Sequence, residues 1–175
     1  MLRALERLQR NYPNECEILK AENVPFEEYS KMVDECDILL DQLYGYSPAM
    51  NALLAMSKGK IVVGGAEPEC YDILGEQTLR PMINATPNEE DIYNKLKWII
   101  ENREQVATLQ QESIDFIKKH HTPEKVAKQY LEFWEKNWIF EIKKGEGFSI
   151  EKPSPFLVAP TGIEPVFHAW EACVL

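Results

Sequence analysis

The stretch DILLDQLYGYSPAMNALLAMSKGKIVVGG, from Asp37 to Gly65, limits the possible folds more than any other part of the chain. It holds two apolar runs, Asp37–Leu43 and Ile61–Val63, each the length of a strand buried on both faces. Between them Pro48–Lys58 reads as a helix, and Gly59 ends it. A strand, a helix and a second strand joined by short loops form a parallel crossover unit.

The flanking sequence keeps the same rhythm. Leu2, Leu5, Leu8 and Tyr12 recur at helical spacing, and Pro13 stops the pattern. Cys16–Lys20 reads as a short strand. Pro25 opens a helix with Phe26, Tyr29, Met32, Val33 and Cys36 on one face, and Pro81–Ala85 reads as the last strand. The expected fold is therefore α/β, with an incomplete Rossmann-like parallel sheet. A parallel sheet usually begins on a strand, whereas this chain begins on a helix, so it is expected to be a piece of a longer protein.

A helical block follows. Thr86-Pro87-Asn88-Glu89 has the form of a capping box with proline at the first helical position. Thr122-Pro123 starts a further helix in the same way, with Lys125 where an acid is usual. That helix carries Val126, Tyr130, Phe133, Trp134 and Trp138. The folded domain is expected to span residues 1–142. From residue 143 the period is lost and Pro153, Pro155, Pro160 and Pro165 accumulate, so 143–175 is expected to be an unstructured tail. Its Pro160-Thr161-Gly162-Ile163-Glu164-Pro165 resembles strings produced when a reading frame runs through the T-arm of a transfer-RNA gene. Residues from about Lys152 onward are expected to be read-through sequence.

Composition narrows the function classes. A net charge of −10 disfavours nonspecific nucleic-acid binding, which needs Lys and Arg on phosphates. Cys16, Cys36, Cys70 and Cys173 lack metal-ligand spacing and read as free thiols of a reducing compartment. The N-terminus is too charged for a signal peptide, and no run is long enough to span a bilayer. A cytoplasmic location is expected, with no cofactor and no metal.

Ligands of open α/β sheets bind beyond the carboxyl ends of the strands. The loop Tyr44-Gly45-Tyr46-Ser47 lies at such an end, with a helix start directly behind it. Gly45 would permit close backbone approach, and the first N–H groups of the helix, around Ala49–Asn51, would face an anion. Pro48, at the first helical position, sacrifices no bond. A diphosphate fits this chemistry.

On these residues the chain resembles the donor-binding half of bacterial-type, retaining GT-B glycosyltransferases, the "glycosyl transferases group 1" family. The family's helix-to-strand motif is matched by Leu54-Ala55-Met56-Ser57-Lys58-Gly59-Lys60-Ile61-Val62-Val63. Its following glycine-rich turn is matched by Gly64-Gly65 with Glu67 and Glu69. The opening MLRALERL and the later VAKQYLEFW resemble two family helices, so the resemblance runs from Met1 to Trp138. It implies a parent enzyme that transfers a sugar, with retention, from a nucleotide-diphosphate donor to a saccharide or lipid-linked acceptor. Tyr44, Gly45, Ser47 and the helix start would hold the diphosphate, with Tyr46 also among the donor-binding residues. Asn51, Glu67 and Glu69 would contact ribose or sugar.

The family's pair of glutamates is missing. One alignment puts Tyr46 and Leu54 in their places, and another puts Asn51 in the second; Asn51 is preferred because it can hydrogen-bond. The family's acceptor domain and basic diphosphate residues would precede Met1, so no catalytic residue is assigned and this chain alone is expected to be inactive. Self-association through apolar surface that the incomplete sheet leaves exposed is expected. His120 and His121 read as cations at a helix C-terminus, His168 as incidental, and Trp134, Trp138 and Phe140 as partly exposed packing residues. The alternative reading is a non-enzymatic, degenerate α/β ligand- or partner-binding module.

Overall fold

The computed structural model describes residues 1–143 and 171–174. It divides into two compact units. The first comprises Met1–His121 together with the C-terminal segment from His168, and the second runs from Thr122 to Phe167. The expected span 1–142 therefore divides after His121.

The first unit is built on five strands: β1 (Ile18–Ala21), β2 (Ile38–Leu40), β3 (Ile61–Gly64), β4 (Ile83–Asn84) and β5 (Glu171–Val174). Their order in the sheet is β1-β5-β2-β3-β4. β2, β3 and β4 run parallel, as the continuous apolar runs imply. β5 is antiparallel to both β1 and β2 and lies between them. The sheet is thus mixed, and its parallel portion is the three strands β2, β3 and β4. β5 falls within the segment expected to be unstructured. Of the segment expected to be read-through, from about Lys152 onward, β5 is the described part, and residues 152–170 and 175 lie outside the described residues.

Successive strand residues point to opposite faces, and both faces are covered. Ile38, Leu40, Ile61 and Val63 pack on α1 (Leu2–Asn11) and α5 (Glu89–Glu101) through Leu5, Leu8, Ile92, Leu96 and Ile99. Leu39 and Val62 point the other way. They meet α2 (Phe26–Glu35), α3 (Met50–Ser57) and α6 (Val106–His120) through Tyr29, Val33, Ala52, Ala55, Met56 and Phe116. A six-residue helix, α4 (Pro68–Ile73), lies between β3 and β4.

Local signals place most elements to within two or three residues. Leu2 and Phe26, expected on buried faces, are 40% and 61% exposed. Each sits at the first position of its helix, one turn ahead of the buried stripe. The cap of α5 is Asn88, two residues past Thr86: its Oδ1 accepts the N–H groups of Glu90 and Asp91 at 2.8 and 3.3 Å. Thr86 instead donates its N–H and hydroxyl to Asp91, at 2.7 and 2.9 Å. Gly59 follows α3 at φ +73°, the left-handed position where glycine carries no Cβ penalty.

In the second unit α7 (Pro123–Lys143) starts as expected, with Thr122 Oγ1 accepting the Lys125 N–H at 3.3 Å. Tyr130, Leu131, Phe133 and Trp134 are exposed, and the Tyr130 and Trp134 rings lie 6.1 Å apart. The side chains of Trp138 and Phe140 lie outside the described residues, as does His168. No helix among the described residues is long and apolar enough to cross a membrane.

Candidate functional site

The carboxyl ends of β2 and β3 bring together the two sequence blocks singled out above. The ladder continues past the strands, with Asp41 N–H donating to Val63 O at 2.9 Å. Gly65 N–H then donates to Gln42 O at 3.0 Å, and Glu67 N–H to Tyr46 O at 3.2 Å. Asn84 Oδ1, from β4, accepts the Ala66 N–H at 3.0 Å. The loop after β2 is therefore tied to the turn after β3, and that turn to β4.

This closure explains the glycines. A Cβ on Gly65 would lie 1.6 Å from the carbonyl oxygen of Gly45. Only a residue without a side chain fits there. At Gly45 a Cβ would meet the side chain of Gln42, at 2.8 Å from Nε2. That neighbour is the end of a flexible chain and can move. The strict steric requirement for glycine in this closure falls on Gly65, where a backbone carbonyl imposes it.

The start of α3 also differs from expectation. Its N-cap is Ala49 and its first residue Met50, so Pro48 precedes the cap and does not occupy the first helical position. The side chain of Asp41 lies beside this start: it is buried, 2% exposed, with the N–H groups of Gln42 and Ala49 directed at its carboxyl. Burial raises its pKa and those N–H groups oppose the rise. A carboxyl group of the chain itself therefore occupies this helix end, accepting the N–H of the N-cap residue Ala49. Asp41 escaped the sequence reading because it sits inside an apolar run and reads as a strand residue.

The expected contact residues surround this closure. Tyr44 and Tyr46 are 87% and 78% exposed, Ser47 and Glu69 are exposed, and Gly45, Asn51 and Glu67 are half-buried. Leu54, the competing position for the second acid, is also half-buried on α3. Glu67 and Glu69 do not lie in a plain turn: Glu67 is the N-cap residue of α4 and Glu69 is in its first turn. No Lys or Arg occurs in Asp37–Ser57 or Ile61–Leu79. These two segments bring hydroxyls, carboxylates and aromatic rings together and supply no cation for a diphosphate.

A second polar cluster went unnoticed in the sequence. Glu76 is 1% exposed. Its Oε1 accepts Thr78 N–H at 3.0 Å, Thr78 Oγ1–H at 3.1 Å and Leu79 N–H at 3.0 Å. Its Oε2 lies 2.6 Å from Lys119 Nζ and 2.7 Å from His120 Nε2. Lys119, then His120 and the two backbone N–H groups, hold the Glu76 carboxyl far below the usual range. His120 is 7% exposed and its ring lies 5.1 Å from Phe116, so it is a core residue tied to an acid, beyond any dipole effect. His121 follows the helix as its C-cap, its ring 6.4 Å from that of His120. Glu76 and His120 are 44 positions apart, and no spacing rule links them. Among the described residues no group of three or more His, Cys, Asp or Glu is placed to hold a metal ion.

No family model, no curated protein and no solved structure matches this chain.

Proposed function

We propose that the carboxyl edge of β2 and β3 binds the nucleoside and sugar parts of a nucleotide-diphosphate sugar, as the donor side of a glycosyltransferase. The observation that carries this reading is the closure itself. Two separate sequence blocks that resemble one family's donor site are bonded to each other through Gly65 N–H to Gln42 O and Glu67 N–H to Tyr46 O. Exposed Tyr44 and Tyr46 offer ring faces to a base, and Asn51, Glu67 and Glu69 offer hydrogen bonds to hydroxyls. The chemistry for neutralising the diphosphate lies outside these segments, so binding by this chain is weak and transfer needs groups from elsewhere. Cys16, Cys36 and Cys70 are buried and form no disulfide among the described residues, in keeping with a cytoplasmic location. Tyr44, Tyr46, Met50 and Ile73, all more than three-quarters exposed, supply apolar surface for self-association at high concentration.

Calorimetry with a panel of nucleotide sugars tests the reading. One member should bind, and Tyr46→Ala should weaken it about tenfold, the scale of one lost ring contact. Equal affinity in Tyr46→Ala and wild type would remove this loop from the site.

A second reading, a non-enzymatic binding module, is favoured by one specific feature. The Asp41 carboxyl already meets the N–H of Ala49, the N-cap residue of α3, at the helix end where a phosphate would have to sit.

A further inference from the structure

Among the described residues of the first unit, everything except β5 comes from one continuous stretch, Met1–His121. β5 arrives from beyond the second unit. It enters the interior of the sheet between β1 and β2, which do not pair directly. β1 and β2 both run opposite to β5, so they share one direction with β3 and β4, and β5 alone among the described strands is reversed. Three of its residues pair on both sides: Val174 stands opposite Ile18 and Ile38, Cys173 opposite Leu19 and Leu39, and Ala172 opposite Lys20 and Leu40, while Glu171 pairs with Ala21 alone. Ile18 and Ile38 belong to the core on one face of the sheet, Leu19 and Leu39 to the core on the other. The slot is thus lined with backbone N–H and C=O groups on two edges and roofed by apolar side chains above and below. An extended peptide satisfies such edges by main-chain hydrogen bonds, and its apolar side chains fill the faces.

We propose that the gap between β1 and β2 is a strand-binding slot for an extended, apolar peptide segment, and that Glu171–Val174 is a displaceable ligand which the chain supplies to itself. The occupant shows the specificity: a short run, Ala-Cys-Val, of small and β-branched residues, inserted antiparallel. A tethered ligand acts at an effective concentration of about millimolar, so an outside peptide competes only in excess over that concentration or once the internal strand is weakened.

The test uses the full chain carrying Ala172→Pro, which removes an N–H from the inserted strand. A fluorescent peptide of residues 168–175, with Cys173→Ser, is titrated into it. The variant should bind the peptide at least tenfold more tightly than the wild type does, and the same peptide carrying Ala172→Pro should not bind. A folded variant without this gain overturns the proposal. A second measurement decides the matter if Ala172→Pro fails to fold. Leu19→Cys in an otherwise unaltered chain should form a disulfide with Cys173, the opposite residue across the ladder. Free peptide in roughly tenfold excess over the tether's effective concentration, ~10 mM, should slow that cross-link at least fivefold. An unchanged rate, or no cross-link, means that β5 is not a displaceable ligand of this slot.

Discussion

Gly65→Ala is the substitution that most sharply probes the closure at the carboxyl edge. The added Cβ would stand 1.6 Å from the Gly45 carbonyl oxygen and 2.7 Å from its carbon, both backbone atoms. A real Cβ keeps at least 3.0 Å, so one loop must retreat by more than about 1 Å. That displacement breaks Gly65 N–H to Gln42 O and loosens Glu67 N–H to Tyr46 O, 3.0 and 3.2 Å long. Each such bond contributes about 1 kcal/mol net, and forced displacement of packed backbone costs about 1–3 kcal/mol. The expected destabilisation is about 3 kcal/mol, or about 10 °C in Tm for a unit of this size. Gly45→Ala is the internal control. Its Cβ meets only the movable end of Gln42, so the cost should stay under about 1 kcal/mol. Urea denaturation of both variants, followed by far-ultraviolet circular dichroism, gives the two values. Equal stability of Gly65→Ala and Gly45→Ala would refute the closure.

Glu76 ties β4's approach to the end of α6, and its carboxyl is held far below the usual range. A depressed folded pKa stabilises the fold above the unfolded carboxylate pKa, about 4.3, and the contribution fades as pH falls below it. Melting between pH 7 and pH 3 should show Tm falling below about pH 4.5, and Glu76→Gln should lower Tm at pH 7 by more than about 5 °C and flatten that acid slope. A Glu76→Gln variant with the wild-type Tm and acid slope would show that the cluster contributes nothing. The purified chain, incubated with nucleotide sugars and saccharide or lipid-linked acceptors, should form no glycosidic product, because its two donor segments hold no cation to stabilise the leaving diphosphate. Turnover detected by mass spectrometry would mean that this chemistry resides in the chain after all.

The sequence exposes what depends on local pattern and hides what depends on distant contact. β2 and β3 were legible because both faces are buried and the runs are apolar throughout. The helix after them was legible from its length and from Gly59. Its first turn lies two residues later than the pattern implies, beside the contact between the Asp41 side chain and the Ala49 N–H. Thr86 and Asn88 both have cap chemistry, and only the path of the chain through Asp91 selects Asn88. β5 was invisible: Glu-Ala-Cys-Val is too short for a period, and its partners lie more than 130 residues earlier. The pairing of Glu76 with His120 was invisible for the same reason. The placing of the Tyr44–Ser47 loop and of Gly64–Gly65 at strand ends was legible, whereas the reason for the glycine at position 65, a carbonyl from the neighbouring loop, was not.

The measurement that tests the central proposal most directly is amide chemical-shift mapping of the labelled chain during titration with nucleotide-diphosphate sugars. The proposal predicts that one donor perturbs Tyr44–Asn51 and Gly64–Glu69 together, saturably, and leaves the amides around Glu76 and His120 unmoved. No saturable shift with any donor, or shifts confined to another part of the chain, would contradict it.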